Sequence, residues 1–307
     1  MRLGFYANYT PDTAAFAHEV GFDSIELSAW PGSSLDASTT TDEQIAKIRE
    51  DLASKNIEIS ALGYYPNYLD PTEGKEAQEY LVKVLDLAKR MGISTVATFA
   101  GRDPSKSVAA NLPLYKEVFS RLADEAETRG LRLAIENCPM MDVIEMKGIN
   151  IAFSPEVWEM MFDAVPSRAI GLEIDPSHMV WLGIDYVKAV RDFGDRIYHA
   201  HAKDMEIVES IRSRTGIYGQ LSNSDDLGHG WWRARTPGWG DVDWPAFITA
   251  LIEVGYAGNL DIEHEDEVFA KAAEIGQHES EADLVARYST ERRGLRLGYN
   301  TLRPLVA

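Results

Sequence analysis

Short apolar runs alternate with longer segments of helical periodicity along this chain. There are eight such runs, each bounded by turn residues and each of the length typical of a buried strand. They cover residues 3–6, 24–27, 57–62, 94–99, 131–135, 170–174, 197–202 and 259–262. Several amphipathic segments between them end at a glycine, such as Gly92 or Gly130, which is the residue most often found just after a helix. The pattern therefore predicts strands that alternate with helices.

Eight strands with intervening helices predict parallel pairing, because a connection through a helix returns the chain in the same direction with a right-handed crossover. The length of 307 residues fits a closed (β/α)8 barrel, which reaches ~250 residues or more as a single unit. A doubly wound open sheet is the competing architecture, but no G-x-G-x-x-G motif follows the first run. We predict an α/β fold with one TIM-barrel domain over residues 1–307, a long insertion after the seventh strand and a C-terminal extension after Asp266.

Acidic residues outnumber basic ones by a wide margin. Lysine and arginine number 30 against 49 aspartates and glutamates, so the net charge is −19. An average field of this sign repels nucleic-acid phosphates and anionic membranes, and we expect neither as a partner. The chain lacks an apolar run of ~18 residues, its first residues lack the features of a signal peptide, and Cys138 is its single cysteine. These observations favour a cytoplasmic protein without an internal disulfide.

Four successive strand candidates end in a residue that can bind a metal. In chain order these residues are Glu136, Asp175, His201 and Glu263. Because the carboxyl ends of parallel barrel strands meet at one rim, we expect the four side chains around one arc. Three carboxylates so close repel one another unless a cation is present. We predict one divalent ion bound by these residues, with Mn²⁺ as the first choice and Mg²⁺, Co²⁺ or Zn²⁺ as alternatives.

Each of these positions also has a simpler interpretation. A single glutamate or histidine at a strand end is more often a helix cap, an ion-pair partner or a hydrogen-bonded core residue than a ligand. Four such positions on successive strands are harder to explain in that way. His199 and Glu173 lie two residues deeper than His201 and Asp175. We interpret them as a hydrogen-bonded core histidine and a paired carboxylate.

At these strand ends the sequence resembles the xylose isomerase-like TIM-barrel family of sugar isomerases and epimerases. The resembling stretches are IENCPM at 135–140, DPSH at 175–178, HAHAKD at 199–204, PGWGDVDW at 237–244 and IEHED at 262–266. The resemblance implies that Glu136, Asp175, His201 and Glu263 hold one divalent metal. By analogy with the ketose 3-epimerases of the family, it also implies that the two glutamates form an acid/base pair.

The same resemblance implies contacts to substrate oxygens. They come from His178 and from an arginine that precedes the Pro-Gly turn. Arg233 and Arg235 are both candidates for that arginine, since they lie four and two residues before Pro237.

The segment 228–240 is rich in tryptophan, arginine and glycine. We predict that Trp231 stacks on a sugar or on an aromatic ring, and that Trp30, after the second run, lines the same mouth. The alternative is a packed tryptophan cluster that seals the barrel or forms a subunit contact. Glu26, at the end of the second run, could reach a distal hydroxyl of a substrate or form an ion pair at the rim.

The leading function is a metal-dependent sugar isomerase or epimerase. A metal on the carbonyl and hydroxyl oxygens stabilises an enediolate while Glu136 and Glu263 remove and return a proton. An alternative is a lyase or deglycosidase that removes the C2 proton of a C- or O-linked 3-oxo-glycoside and expels the group at C1. A non-catalytic sugar- or metal-binding barrel is a third possibility, whereas a deoxyribonuclease of the endonuclease IV type needs more ligands and a basic groove. The expected partner is a small sugar or glycoside, and the chain could form a homo-oligomer or pair with a different subunit.

Overall fold

A computed structural model describes residues 1–142, 147–217, 230–266, 268–269 and 281–306 of the chain. The elements in chain order are β1 (Arg2–Ala7), α1 (Pro11–Val20), β2 (Ser24–Ser28), α2 (Asp42–Ser54), β3 (Glu58–Gly63), α3 (Gly74–Met91), β4 (Thr95–Thr98), α4 (Val108–Arg129), β5 (Arg132–Glu136), β6 (Met141–Asp142), β7 (Lys147–Gly148), α5 (Pro155–Ala164), β8 (Ile170–Ile174), α6 (Pro176–Leu182), α7 (Tyr186–Phe193), a 3₁₀ turn (Gly194–Arg196), β9 (Ile197–His201), β10 (Asp204–Ile207), α8 (Glu209–Thr215), β11 (Trp232–Arg235), α9 (Trp244–Glu253), β12 (Asn259–Ile262) and α10 (Glu281–Val306).

Eight of these strands close into a parallel barrel in the order β1-β2-β3-β4-β5-β8-β9-β12. Each of the eight apolar runs supplies one barrel strand, so the predicted (β/α)8 barrel is confirmed. The register places Glu136 of β5 beside Glu173 of β8, and Glu173 beside His199 of β9. The barrel therefore brings ionisable residues of successive strands together in its interior.

Local signals determine where the helices begin and end. The predicted glycines Gly92 and Gly130 follow α3 and α4 with left-handed φ angles of 72° and 71°. Helix α2 starts at a capping box, in which the Thr41 hydroxyl accepts from the Gln44 backbone N–H and the Gln44 side chain accepts from the Thr41 N–H. These caps satisfy backbone groups that would otherwise lack partners at the helix ends.

Both faces of the barrel strands are buried. Ile25, Leu172 and Ile262 each adjoin an ionisable residue in sequence, and each is fully buried on the opposite face of its strand, against the surrounding helices. In the helical layer, Trp158 of α5 is fully buried and packs edge-on against Phe193, with 5.2 Å between ring centroids. Charged residues therefore occur at the exposed amino ends of the strands, as at Arg132, and on the buried inner face towards their carboxyl ends.

Two small antiparallel sheets of two strands each follow barrel strands β5 and β9. Strands β6 and β7 pair after β5, and β10 and β11 pair within the predicted insertion after β9. Residues 218–229 of that insertion and residues 270–280 of the predicted C-terminal extension lie outside the described part of the chain. Helix α10 contacts β1, β12 and α9. The single-domain boundary at 1–307 stays a prediction.

Among the described helices, none combines the length and the apolar character needed to cross a membrane.

Candidate metal centre

At the carboxyl ends of three barrel strands, two ionisable residues are separated by one position. The pairs are Glu173 and Asp175 at β8, His199 and His201 at β9, and Asp261 and Glu263 at β12. Side chains two residues apart on a strand face the same side, so both members of each pair face the barrel interior. They contribute to two groups, one at the rim of the barrel and one deeper inside it.

The group at the rim, which we call the rim cluster, consists of Glu136, Asp175, His178 and Glu263. One ligand atom from each of these residues lies within 4.8 Å of the others. Three of the four predicted ligands are thus brought together, and His178, predicted to contact substrate, lies with them. The fourth predicted ligand, His201, faces the same space: its Nδ1 lies 3.9 Å from Glu136 Oε1 and 3.5 Å from Glu263 Oε2.

Four buried polar atoms of this region have no hydrogen-bond partner among the described residues. They are Glu136 Oε1, Asp175 Oδ2, His178 Nε2 and His201 Nδ1. A buried polar atom left without a partner costs about 1–3 kcal/mol, and more where it carries charge. Carboxylate oxygens and imidazole nitrogens that face one space form a ligand set suited to Mn²⁺, Zn²⁺ and related ions. The residues present therefore fit the predicted divalent cation.

Lys203 is a buried ammonium at the edge of the rim cluster that the ligand prediction left out. Its Nζ donates to Glu263 Oε2 at 2.5 Å and to Glu265 Oε2 at 3.0 Å, and it lies 3.7 Å from Asp175 Oδ2. Burial lowers the pKa of a lysine, but the carboxylates of Glu263 and Glu265 hold the pKa of Lys203 well above its ordinary value. Lys203 is therefore charged and balances part of the negative charge of the cluster.

The carboxyl groups of the rim cluster differ in their proton affinity. Burial raises the pKa of Glu136, but the nearby His178, His201 and Lys203 outweigh it, so the pKa lies below that of an ordinary glutamate. Burial also raises the pKa of Asp175, and here it outweighs the opposing effect of His178. Two carboxyl groups in one site thus have pKa values shifted in opposite directions, which is typical of functional sites.

The deeper group, which we call the interior cluster, consists of Glu26, Glu173, His199 and His201, all buried. Glu26 Oε2 lies 2.7 Å from His201 Nε2. The Tyr65 hydroxyl lies 2.5 Å from Glu26 Oε1 and 3.0 Å from Glu173 Oε2, and its single proton is shared between these two carboxyl groups. Glu26 is therefore placed to orient His201 from below, and its predicted contact with a substrate hydroxyl stays a prediction.

A cavity of about 810 Å³ opens beside the rim cluster. Glu136 and Glu263 form part of its wall, and most of the remainder comes from apolar and aromatic side chains that include Trp30, Tyr64, Tyr65, Phe99, Met140 and Ile149. Trp30 is 37% exposed and packs edge-on against Tyr64, with 4.9 Å between ring centroids. The volume lies within the range of small-molecule binding sites.

Trp231 lies in a packed aromatic group. It is 4% exposed, clusters with Met205 and Trp232, and donates from Nε1 to the Ile217 carbonyl at 3.0 Å. Trp232 stacks on Trp181 with ring centroids 4.8 Å apart, and both line a second cavity of about 430 Å³ that also reaches His178 in the rim cluster. This arrangement corresponds to the packed-cluster alternative for Trp231, whose substrate contact stays a prediction.

Both candidate arginines lie on β11 and pair with carboxylates. Arg233 Nε donates to Glu206 Oε2 at 2.7 Å. Arg235 donates to the same carboxylate oxygen and, through Nε, to Asp266 Oδ2 at 3.1 Å. Their guanidinium groups already have carboxylate partners, and contact of either arginine with substrate stays a prediction.

Comparison with known proteins identifies relatives across most of the chain. The model of the xylose isomerase-like TIM barrel family matches residues 14–287. The uncharacterised protein YfiH of Bacillus subtilis is 26% identical over 294 residues, which cover 86% of this chain and 91% of YfiH. An inosose dehydratase of Bacillus thuringiensis is 23% identical over 229 residues, which cover 72% of this chain and 73% of that protein. The crystal structure of a D-psicose 3-epimerase in the presence of D-fructose superposes with a TM-score of 0.69 at 16% identity, and the match covers 100% of this chain and 99% of that one.

The chain belongs to the xylose isomerase-like TIM-barrel family, as the motifs at its strand ends predicted. Its relatives include the protein named an inosose dehydratase, and its fold is shared by a D-psicose 3-epimerase. The choice of Mn²⁺, the cytoplasmic location, the exclusion of nucleic-acid partners and the oligomeric state stay predictions.

Proposed function

We propose that this protein is a divalent-metal-dependent sugar isomerase or epimerase that removes a proton from the carbon beside a carbonyl. The observation that carries the proposal is the rim cluster, where three carboxylates and an imidazole converge on one space with unpartnered buried atoms. The ion would be held by Glu136, Asp175 and Glu263, with either the predicted ligand His201, through the Nδ1 that faces the cluster, or His178 Nε2 as the nitrogen donor.

The bound cation supplies Lewis-acid stabilisation of the negative charge that develops on the substrate carbonyl oxygen. Glu136 and Glu263 come from strands on different sides of the rim and both line the 810 Å³ cavity. One glutamate takes the proton from one face of the substrate carbon, and the other returns a proton to the opposite face. General acid–base transfer of this kind contributes about 10²–10⁴-fold to the rate.

Lys203 lies beside Glu263 and His178 lies beside Glu136, so each glutamate has a basic neighbour. The Lys203 ammonium donates to Glu263 and keeps that carboxyl group ionised, while burial alone would raise its pKa. His178 Nε2 lies 3.5 Å from Glu136 Oε1 and is placed to donate to it or to a substrate hydroxyl. The two glutamates therefore have different charged neighbours, and the pKa of each lies below its ordinary value.

An elimination is the second candidate reaction, because the relative from Bacillus thuringiensis is named an inosose dehydratase. Proton removal beside the carbonyl is shared with epimerisation, but here the intermediate expels a leaving group instead of taking a proton back. For a 3-oxo-glycoside the leaving group is the substituent at C1, which makes the enzyme a lyase or deglycosidase. The apolar wall around Trp30 and Phe99 favours such a substituent over a bare sugar.

The test is solvent exchange. The protein loaded with Mn²⁺ is incubated in D₂O with free ketoses, inososes and 3-oxo-glycosides, and deuterium incorporation and products are followed by NMR. We expect exchange at the carbon beside the carbonyl for at least one class, and loss of at least ~10²-fold in rate for Glu136→Gln. Products that retain all their atoms indicate an isomerase or epimerase, whereas release of water or an aglycone indicates the elimination.

Glu253→Gln is the matched control, since Glu253 is a half-exposed glutamate on α9 that pairs with Arg191. It should leave the exchange rate unchanged. Exchange by Glu136→Gln at the wild-type rate would exclude Glu136 as a base, and the absence of exchange with every class would leave a binding protein instead of an enzyme.

A further inference from the structure

The interior cluster has the dimensions of a closed tetrahedral metal site. His201 Nε2 lies 2.7 Å from Glu26 Oε2 and 3.1 Å from Glu173 Oε1. His199 Nε2 lies 3.2 Å from Glu26 Oε2 and 3.7 Å from Glu173 Oε1. Zinc binds nitrogen and oxygen at about 2.0–2.1 Å, so adjacent ligands of a tetrahedral zinc are about 3.3 Å apart. The four nitrogen–oxygen separations lie on both sides of that value.

Two of these four ligand atoms are close to polar atoms yet lack hydrogen bonds. Glu173 Oε1 and His199 Nε2 are buried and have no hydrogen-bond partner among the described residues. Glu173 Oε1 nevertheless lies 3.1 Å from His201 Nε2, and His199 Nε2 lies 3.2 Å from Glu26 Oε2. These atom pairs are close but do not meet the angular requirement of a hydrogen bond, so both atoms are available as ligands of one cation.

We propose that the interior cluster is a second metal site, in which Glu26 Oε2, Glu173 Oε1, His199 Nε2 and His201 Nε2 bind one divalent cation, zinc by ligand type and geometry. Two imidazoles with two carboxylates suit zinc better than Mg²⁺ or Mn²⁺, which prefer six oxygen-rich ligands. This site shares His201 with the ligands predicted for the rim ion, but its other three ligands lie outside the rim cluster, and it does not depend on the proposed function.

The charges of such a site balance. Two carboxylates and a divalent cation sum to zero when both imidazoles are neutral, and a neutral assembly is the least costly to bury. Each nitrogen that binds the cation must first lose its proton, so binding releases up to two protons to solvent. Asp261 lies beside the site, with Oδ2 3.0 Å from His199 Nε2, and its carboxylate also accepts from the Ser24 and Ser60 hydroxyls. These hydroxyls hydrogen-bond to the Asp261 carboxylate but do not cancel its charge, so the four-ligand site is neutral only when Asp261 is counted outside it.

The two sites need not compete for a histidine. When His201 binds the interior cation through Nε2, its Nδ1 carries the remaining proton and faces Glu263 Oε2 at 3.5 Å. The rim cluster then retains His178 as a nitrogen donor. Occupation of both sites by one chain is therefore chemically consistent.

The test measures the number of zinc ions bound per chain. Wild-type protein is equilibrated with zinc, freed of excess ion and analysed by elemental analysis and native mass spectrometry. We expect His199→Gln to bind one zinc fewer per chain than the wild type, because His199 contributes to the interior cluster alone. Asp175→Asn should remove the rim ion instead, so failure of the rim proposal is seen separately. His18→Gln is the matched control, since His18 is an exposed histidine on α1 that bonds to the Lys55 carbonyl.

A second measurement begins with the wild-type protein, whose spectrum does not depend on the folding of a variant. Wild-type protein loaded with Co²⁺ should give the intense visible absorption of a tetrahedral ion, and Glu173→Gln should weaken it. Equal zinc content in the wild type and folded His199→Gln, or only the weak bands of six-coordinate Co²⁺ in the wild type, would overturn the proposal and leave the cluster as a network held by protons.

Discussion

The substitution Lys203→Met separates the charge of the rim cluster from its shape. Methionine is close to lysine in length and apolar, and the Lys203 side chain is 3% exposed, so packing is largely preserved while the positive charge is lost. In the absence of metal, Glu263 and Asp175 then lose the ammonium that balances their charge. Breaking a buried ion pair by removing one partner costs about 3–5 kcal/mol, and we expect this loss of unfolding free energy in EDTA.

Metal binding should change in the opposite direction. Lys203 Nζ lies 3.7 Å from Asp175 Oδ2. A divalent ion bound to that oxygen at about 2.1 Å lies no farther than about 6 Å from Nζ. The repulsion between the two charges is then at least about 1.4 kcal/mol with the dielectric constant of water and about 5.5 kcal/mol at an effective value of ~20. Since 1.4 kcal/mol corresponds to tenfold, Lys203→Met should bind Mn²⁺ at least about tenfold more tightly than the wild type.

Two measurements check this pair of effects. Urea unfolding in EDTA and in saturating Mn²⁺ gives the stability, and calorimetric titration at low salt gives the affinity. By linkage, Mn²⁺ should protect Lys203→Met more than it protects the wild type. Lys47→Met is the control, because Lys47 pairs with Glu43 at 2.8 Å on the exposed face of α2 and should contribute less than about 0.5 kcal/mol. Unchanged or weaker Mn²⁺ binding by Lys203→Met would refute the placement of the cation among these carboxylates.

Two further predictions concern the scaffold that holds the site. Trp158→Ala should lower the free energy of unfolding by about 3–5 kcal/mol, because it empties the volume of a fully buried indole, and thermal unfolding would show a much smaller loss if the neighbouring helices closed the gap. Glu206→Gln should cost about 1 kcal/mol at neutral pH, because hydrogen bonds from Arg233 and Arg235 lower the pKa of this carboxyl group. Because the pKa of Glu206 is lower in the folded protein than in the unfolded one, the carboxylate stabilises the fold at pH values above the ordinary glutamate pKa. This stability is lost as pH falls through the folded-state pKa, so the difference in melting temperature between wild type and Glu206→Gln should vanish on acidification. A difference that stays constant with pH would contradict the prediction.

The barrel could be predicted from the sequence because its signals are local. Apolar runs of strand length and glycines such as Gly92 after amphipathic segments report buried strands and helix ends without knowledge of the partners. The position of Glu136, Asp175 and Glu263 followed equally simply, because all parallel strands deliver their carboxyl ends to one rim.

The membership of His178 in the rim cluster depends on where α6 begins. The Asp175 side chain accepts from the Ser177 N–H at 2.8 Å and caps this helix, whose first residue is Pro176. Residues three apart at a helix start lie on one face, so His178 turns back towards Asp175, with 3.4 Å between Nε2 and Oδ2. Pro176 at the first helical position indicates that a helix begins directly after Asp175. A prediction based only on the ends of strands does not use this information.

The partners of the arginines and of Trp231 could not be derived from spacing. Arg233 meets Glu206 because β10 and β11 pair in one particular antiparallel register, and that register joins residues separated by the whole insertion. The interior cluster could have been predicted from pairs of ionisable residues, but not from single residues at the ends of strands. Three strands carry two ionisable residues each at a spacing of two, and this spacing places a second group below the first on the same face.

His201 connects the two clusters, and the proton on its ring decides how. When Nε2 donates a hydrogen bond to Glu26, as the separation of 2.7 Å allows, Nδ1 holds a free electron pair towards Glu136 and Glu263 and can bind the rim ion. When Nε2 binds a cation, Nδ1 carries the proton and donates towards Glu263 instead. The nitrogen donor of the rim site is then His178. The occupancy of the barrel interior therefore selects which histidine binds at the rim, and it does so through the two nitrogens of one imidazole.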